Sequence, residues 1–63
     1  MLNIQAVHIA NDCANNQCSE RSITELMEAL ALARVITINS EYVRARKNWL
    51  QRALNIAREL ERR

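Results

Sequence analysis

The sequence predicts a mainly α protein. Two amphipathic helices, over about residues 20–34 and 40–62, are joined by a short strand at about 35–38, and the chain assembles as a homodimer. Three observations predict this. Neither Gly nor Pro occurs anywhere, so helix breakers are missing and a hairpin-rich β fold is disfavoured. Apolar residues from Tyr42 onward recur at helical spacing over about half of a helix circumference, more than a short chain can cover by itself. The 63 residues form a single domain (1–63) near the lower size limit for independent folding. A core of that size rarely supplies more than about 3–5 kcal/mol without a disulfide, a metal or a second chain. With one Trp, one Tyr and no Phe, the core is aliphatic, and a two-fold dimer is the simplest reinforcement.

Residues 1–18 fit either of two elements. As a helix, Leu2, Ala6, Ile9 and Cys13 share a face; as a strand, Ile4, Ala6 and His8 alternate poorly with Gln5, Val7 and Ile9. The polar run from Asn11 to Gln17 reads as a loop under both. Without Gly, turns fall to residues that tolerate a left-handed backbone, and Asn15, Asn16 and Asn39 stand where breaks are needed.

The first strong helix signal is Ser22-Ile23-Thr24-Glu25, a capping box in which the serine hydroxyl accepts from the Glu25 N–H and the carboxylate reaches back. Ser19 is a rival cap. Ile23, Leu26, Met27, Leu30 and Ala33 then line one face up to Arg34, while Leu32 lies off that stripe. Val35-Ile36-Thr37-Ile38 follows, four β-branched residues that favour a pleated backbone, so a strand is expected there, ended by Asn39. A lone strand needs a partner for its backbone groups, and its own copy across a two-fold axis would serve. The alternative is a helix that runs on. Ser40 is the expected cap of the last helix, whose apolar face carries Tyr42, Val43, Trp49, Leu50, Ala53, Leu54, Ile56 and Leu60.

Charge is unevenly distributed. Residues 1–39 carry four acidic against two basic side chains, and residues 40–63 carry seven basic against three acidic ones. Complementary halves can pack together, and a basic helix can meet phosphate or an acidic partner.

Arg46 falls amid the apolar face of the last helix, beside Val43, Trp49 and Leu50. A buried guanidinium there requires a carboxylate, with Glu25 or Glu28 as candidates; an exposed one lines a ligand groove. Trp49 reads as a core anchor or as a hot spot for a protein partner, with Arg46, Leu50 and Tyr42 around it. The opposite face carries Arg44, Lys47, Arg52, Arg58 and Arg62 with Asn48, Gln51 and Asn55 between them. That mixture suits an ordinary solvated face or a nucleic-acid surface, on which Arg44, Lys47 and Arg58 would be the contacts. A ribbon–helix–helix reader is disfavoured because the N-terminal strand would present no Lys or Arg.

His8, Asp12, Cys13 and Cys18 include metal-ligand types, but their spacing matches no compact zinc pattern. No oxyanion-hole loop accompanies Cys13 and His8, so nothing points to an enzyme, and no metal or cofactor is implied. No stretch reaches the roughly 20 apolar residues of a membrane span, and no secretory leader pattern opens the chain. A cytoplasmic protein with two reduced thiols is expected.

The segments Cys18–Arg34 (CSERSITELMEALALAR) and Arg46–Leu60 (RKNWLQRALNIAREL) resemble the small 63-residue early protein of lambdoid phages, encoded between the exonuclease and excisionase genes. The resemblance covers nearly the whole chain. It implies a helical protein with one strand, an intertwined homodimer, residence in the host cytoplasm, and a role favouring lytic over lysogenic development. It supplies no catalytic residues and no molecular target. The expectation is therefore a small early regulator, not an enzyme, that binds a host or phage protein through an apolar groove lined by Trp49, Arg46, Leu50 and Tyr42. DNA binding is the alternative.

Overall fold

Three helices, not two, build the chain: α1 over Ile4–Ala14, α2 over Ile23–Asn39 and α3 over Val43–Glu61. The computed structural model describes residues 4–15 and 17–63. Leu2, used in the helical reading of the N-terminus, and Asn16, a turn candidate, lie outside the described residues.

The helical alternative for the N-terminus holds. Ala6, Ile9, Ala10 and Cys13 recur at three- and four-residue intervals and are all buried. The helix ends where Asn15 folds back, its N–H and its side-chain amide both reaching the Asn11 carbonyl at 3.3 and 3.2 Å. Cys18 then returns to the core. Arg21 fixes this return: its guanidinium bonds Asp12 Oδ2 at 2.7 Å on α1 and Glu25 Oε2 at 3.1 Å on α2. These two bonds, Asp12 first, raise the Arg21 pKa further.

α2 begins with the expected capping box. Glu25 N–H donates to Ser22 Oγ at 3.1 Å, and Ser22 N–H donates to Glu25 Oε1 at 3.0 Å. The bonds from Ser22, backbone first, hold the Glu25 carboxyl below the usual carboxylate range, and Arg21 adds to the effect.

The strand expected at 35–38 is absent; these residues are the last turns of α2. The physical reason lies in the backbone. A strand here finds no partner among the described residues, whereas a helix satisfies its own donors and acceptors. β-branching costs only a few tenths of a kcal/mol per residue in a helix. Local bonds also hold the end: Thr37 Oγ1 donates to the Ala33 carbonyl at 2.7 Å, Asn39 Nδ2 to the Val35 carbonyl at 2.9 Å, and Ser40 N–H to the Ile36 carbonyl at 2.9 Å. The strand was one of two pointers to a dimer, and that pointer is removed.

Ser40 is not the cap of the last helix. α3 starts at Val43 with Tyr42 in the cap position, and Ser40 Oγ instead accepts from Tyr42 N–H at 3.3 Å. All three helices pack on one another. The radius of gyration, 10.7 Å, matches the roughly 10.6 Å of a compact chain this long, as expected when the three helices share one core.

That core is built from Ile9, Ala10, Cys13, Cys18, Leu26, Ala29 and Ile56, with Leu30, Trp49 and Leu60 packed around it. Among the described residues only Ile9, Leu26 and Ile56 are large, fully buried aliphatics; the alanines let the helices approach closely. The Glu59 carboxylate is also buried. It accepts from the Cys18 thiol at 4.0 Å and faces Arg63 at 3.9 Å and Arg62 at 4.0 Å.

Candidate partner-binding groove

The wide apolar face of α3 is divided by its two neighbours. α1 meets one side: Arg52 Nε donates to Asn11 Oδ1 at 3.2 Å, and Asn55 Nδ2 donates to the Cys13 carbonyl at 3.2 Å. The fully covered stripe is Ala53, Ile56 and Glu59. At about 100° per residue, Val43, Leu50 and Leu54 fall roughly opposite the α1 contacts. They stand 65%, 48% and 44% exposed. On α2 the matching stripe carries Ile23, Met27 and Ile38, all exposed. The α2–α3 hairpin therefore shows a second apolar face, away from α1.

Part of this face is concave. Thr37 of α2 with Val43, Arg46, Lys47 and Leu50 of α3 encloses a hollow of about 240 Å³. Arg34, Thr37 and Ile38 of α2 with Leu50 and Ala53 of α3 enclose another of about 130 Å³. Thr37 and Leu50 line both, so the two are stretches of one groove along the helix seam. The Thr37 hydroxyl already donates to Ala33, which leaves no unmet donor on the groove floor. Three cations rim it, Arg34, Arg46 and Lys47. Among the described residues none of the three makes an ion pair, and no carboxylate lines either stretch.

Of the two readings of Arg46, the buried pair with Glu25 or Glu28 is not formed within the chain. Arg46 is exposed, Glu25 is engaged by Arg21 and Ser22, and Glu28 is exposed. The cause is α1, which draws the buried stripe of α3 round toward Trp49 and Ile56 and leaves Arg46 at the groove margin. Leu50 lines both stretches of the groove. Trp49 sits on the core side, half-buried, with the Arg52 guanidinium 4.8 Å from its ring centroid. Tyr42 is 75% exposed and lines a separate hollow at the α2–α3 turn with Val35, Ile36 and Glu41. Arg44, Lys47 and Arg58 are all exposed and fall within about 60° on the α3 wheel. Arg52 and Asn55, read above as members of that polar face, instead dock α1.

Sequence reasoning missed Arg34, Thr37 and Ile38 as groove residues because it placed the last two in a strand. Helical spacing from Leu30 through Arg34 to Ile38 was the signal that could have found them.

His8 is exposed, Asp12 is held by Arg21, and both cysteines are buried without a disulfide. Among the described residues no three His, Cys, Asp or Glu side chains are grouped to hold a metal ion. Burial, with Cys18 beside it, pushes the Cys13 thiol up to about 12, so it is protonated and unreactive at neutral pH. No helix among the described residues is long and apolar enough to cross a membrane.

No known protein family, curated protein or solved structure matches this chain.

Proposed function

We propose that the protein is a small protein–protein interaction module that acts as a homodimer and, in line with the resemblance of its sequence, as a phage early regulator favouring lytic development in the host cytoplasm. The observation that carries the interaction reading is the second apolar face of the α2–α3 hairpin, with six large side chains about half exposed or more. Apolar area of this kind on so small a chain marks a contact surface. The face has two parts. The end with Arg34, Arg46, Leu50 and Lys47 is grooved and cationic and serves a partner; the end with Ile23 and Met27 is remote from those cations and serves the second copy.

Sedimentation equilibrium over a concentration series tests the dimer. Wild type sediments as a dimer and Met27→Glu as a monomer; a monomeric wild type would refute that part. The exposed row Arg44, Lys47 and Arg58 supports a second reading, duplex DNA binding. Fluorescence anisotropy of labelled duplex DNA across a salt series distinguishes the readings. Flat anisotropy at low salt supports the protein-binding module. Binding that weakens steeply with salt and is lost on charge reversal at Arg44, Lys47 and Arg58 would establish the DNA reading instead.

A further inference from the structure

We infer that the α2–α3 groove takes an amphipathic helix of another protein whose apolar stripe is flanked by Asp or Glu; this rests on the interaction reading above. The groove has the shape for a helix, a seam between two packed helices with an apolar floor at Ile38, Leu50 and Ala53. Its charge selects the helix. Arg34, Arg46 and Lys47 stand along the rim without an ion pair, and no carboxylate lines the groove among the described residues. A helix with carboxylates beside its apolar stripe would seat its side chains on the floor and its charges against these three cations.

A second copy is the poorer occupant. Seated groove to groove across a two-fold axis, it would bring the three cations against their own symmetry mates with nothing to neutralise them. Duplex DNA could meet the cations but would leave Ile38, 73% exposed, and Leu50 uncovered.

The test uses three labelled helical peptides sharing one apolar stripe at i, i+3, i+4 and i+7, flanked by Glu, Gln or Lys, each titrated with full-length protein and read by anisotropy. The Glu peptide binds most tightly and weakens as salt rises, the Gln peptide binds less tightly, and the Lys peptide binds least. Leu50→Glu abolishes binding of all three. Arg46→Glu with Lys47→Glu weakens the Glu peptide by about tenfold or more, since each exposed charge contact contributes up to about 1 kcal/mol. These positions are exposed, so the variants keep the fold, as circular dichroism would verify.

Equal binding of the Glu and Lys peptides, abolished by Leu50→Glu, would overturn the acidic partner while leaving the groove reading intact. Peptide binding indifferent to Leu50→Glu would overturn both. Binding of none of the peptides overturns the inference. So would a wild-type dimer that Leu50→Glu dissociates, because the groove would then belong to the second copy. Duplex DNA binding that Arg46→Glu with Lys47→Glu removes and Leu50→Glu leaves unchanged would overturn it as well.

Discussion

Ile56 and Leu50 are both aliphatic, both on α3 and both on what the sequence presents as one apolar face, yet the structure gives them opposite fates. Ile56 is fully buried among the three helices, and Leu50 is 48% exposed beside the groove. Ile56→Ala deletes three side-chain carbons from a site that α1 and α2 close over. At about 0.8 kcal/mol per buried carbon the transfer part alone is about 2.4 kcal/mol. The cavity adds to it, within the roughly 2–5 kcal/mol range of such substitutions. Leu50→Ala deletes as many carbons from a half-exposed site that leaves no enclosed cavity, and costs about 1 kcal/mol. Urea unfolding followed by circular dichroism at one fixed protein concentration measures both, because an associating chain has concentration-dependent stability. For a chain this small each kcal/mol moves Tm by about 4–8 °C, so Ile56→Ala lowers Tm by at least about 10 °C. Equal losses in the two variants would refute the division of the α3 face described above.

Ser22→Ala removes the side-chain half of the capping box and costs about 1 kcal/mol by the same urea assay. Ile38→Ala changes stability by less than about 0.5 kcal/mol, because the side chain is exposed in a helix where Ala is favoured; a strand would lose about 1 kcal/mol. Stability also depends on Cys13 at alkaline pH. In the unfolded chain this thiol ionises near 9.0, and in the folded chain only near about 12. The unfolded state therefore releases its proton first, so the contribution is complete below pH 9 and is lost between about 9 and 12. The slope reaches about 1.4 kcal/mol per pH unit, and the difference between wild type and Cys13→Ala in a pH series of urea curves isolates it.

Local signals carried part of this architecture. The Ser22–Glu25 box is complete within four residues and needs no tertiary information, so the start of α2 was legible. The end of α2 was not. β-branching at Val35–Ile38 is a weak local preference, and it yields to backbone satisfaction through Thr37, Asn39 and Ser40, which depends on what else is there to pair with. α1 stayed ambiguous because its buried face rests on Ala6 and Ala10, whose small side chains give little periodic contrast.

The candidate site was half legible for a related reason. Spacing put Trp49, Leu50 and Arg46 together on α3. Which of them turns inward is decided by where α1 docks, and that depends on Asn11 and Cys13, far away in sequence. Arg34 and Ile38 joined the groove only once α2 was known to run through Asn39.

We propose that another protein binds the face of the α2–α3 hairpin away from α1. Mapping amide chemical-shift changes in the ¹⁵N-labelled protein on titration with the Glu-flanked peptide tests it most directly. Shifts are expected at Arg34, Thr37, Ile38, Val43, Arg46 and Leu50, with α1 unmoved. Shifts concentrated on α1, or on the Arg44 and Arg58 side of α3 with Ile38 and Leu50 silent, would contradict it.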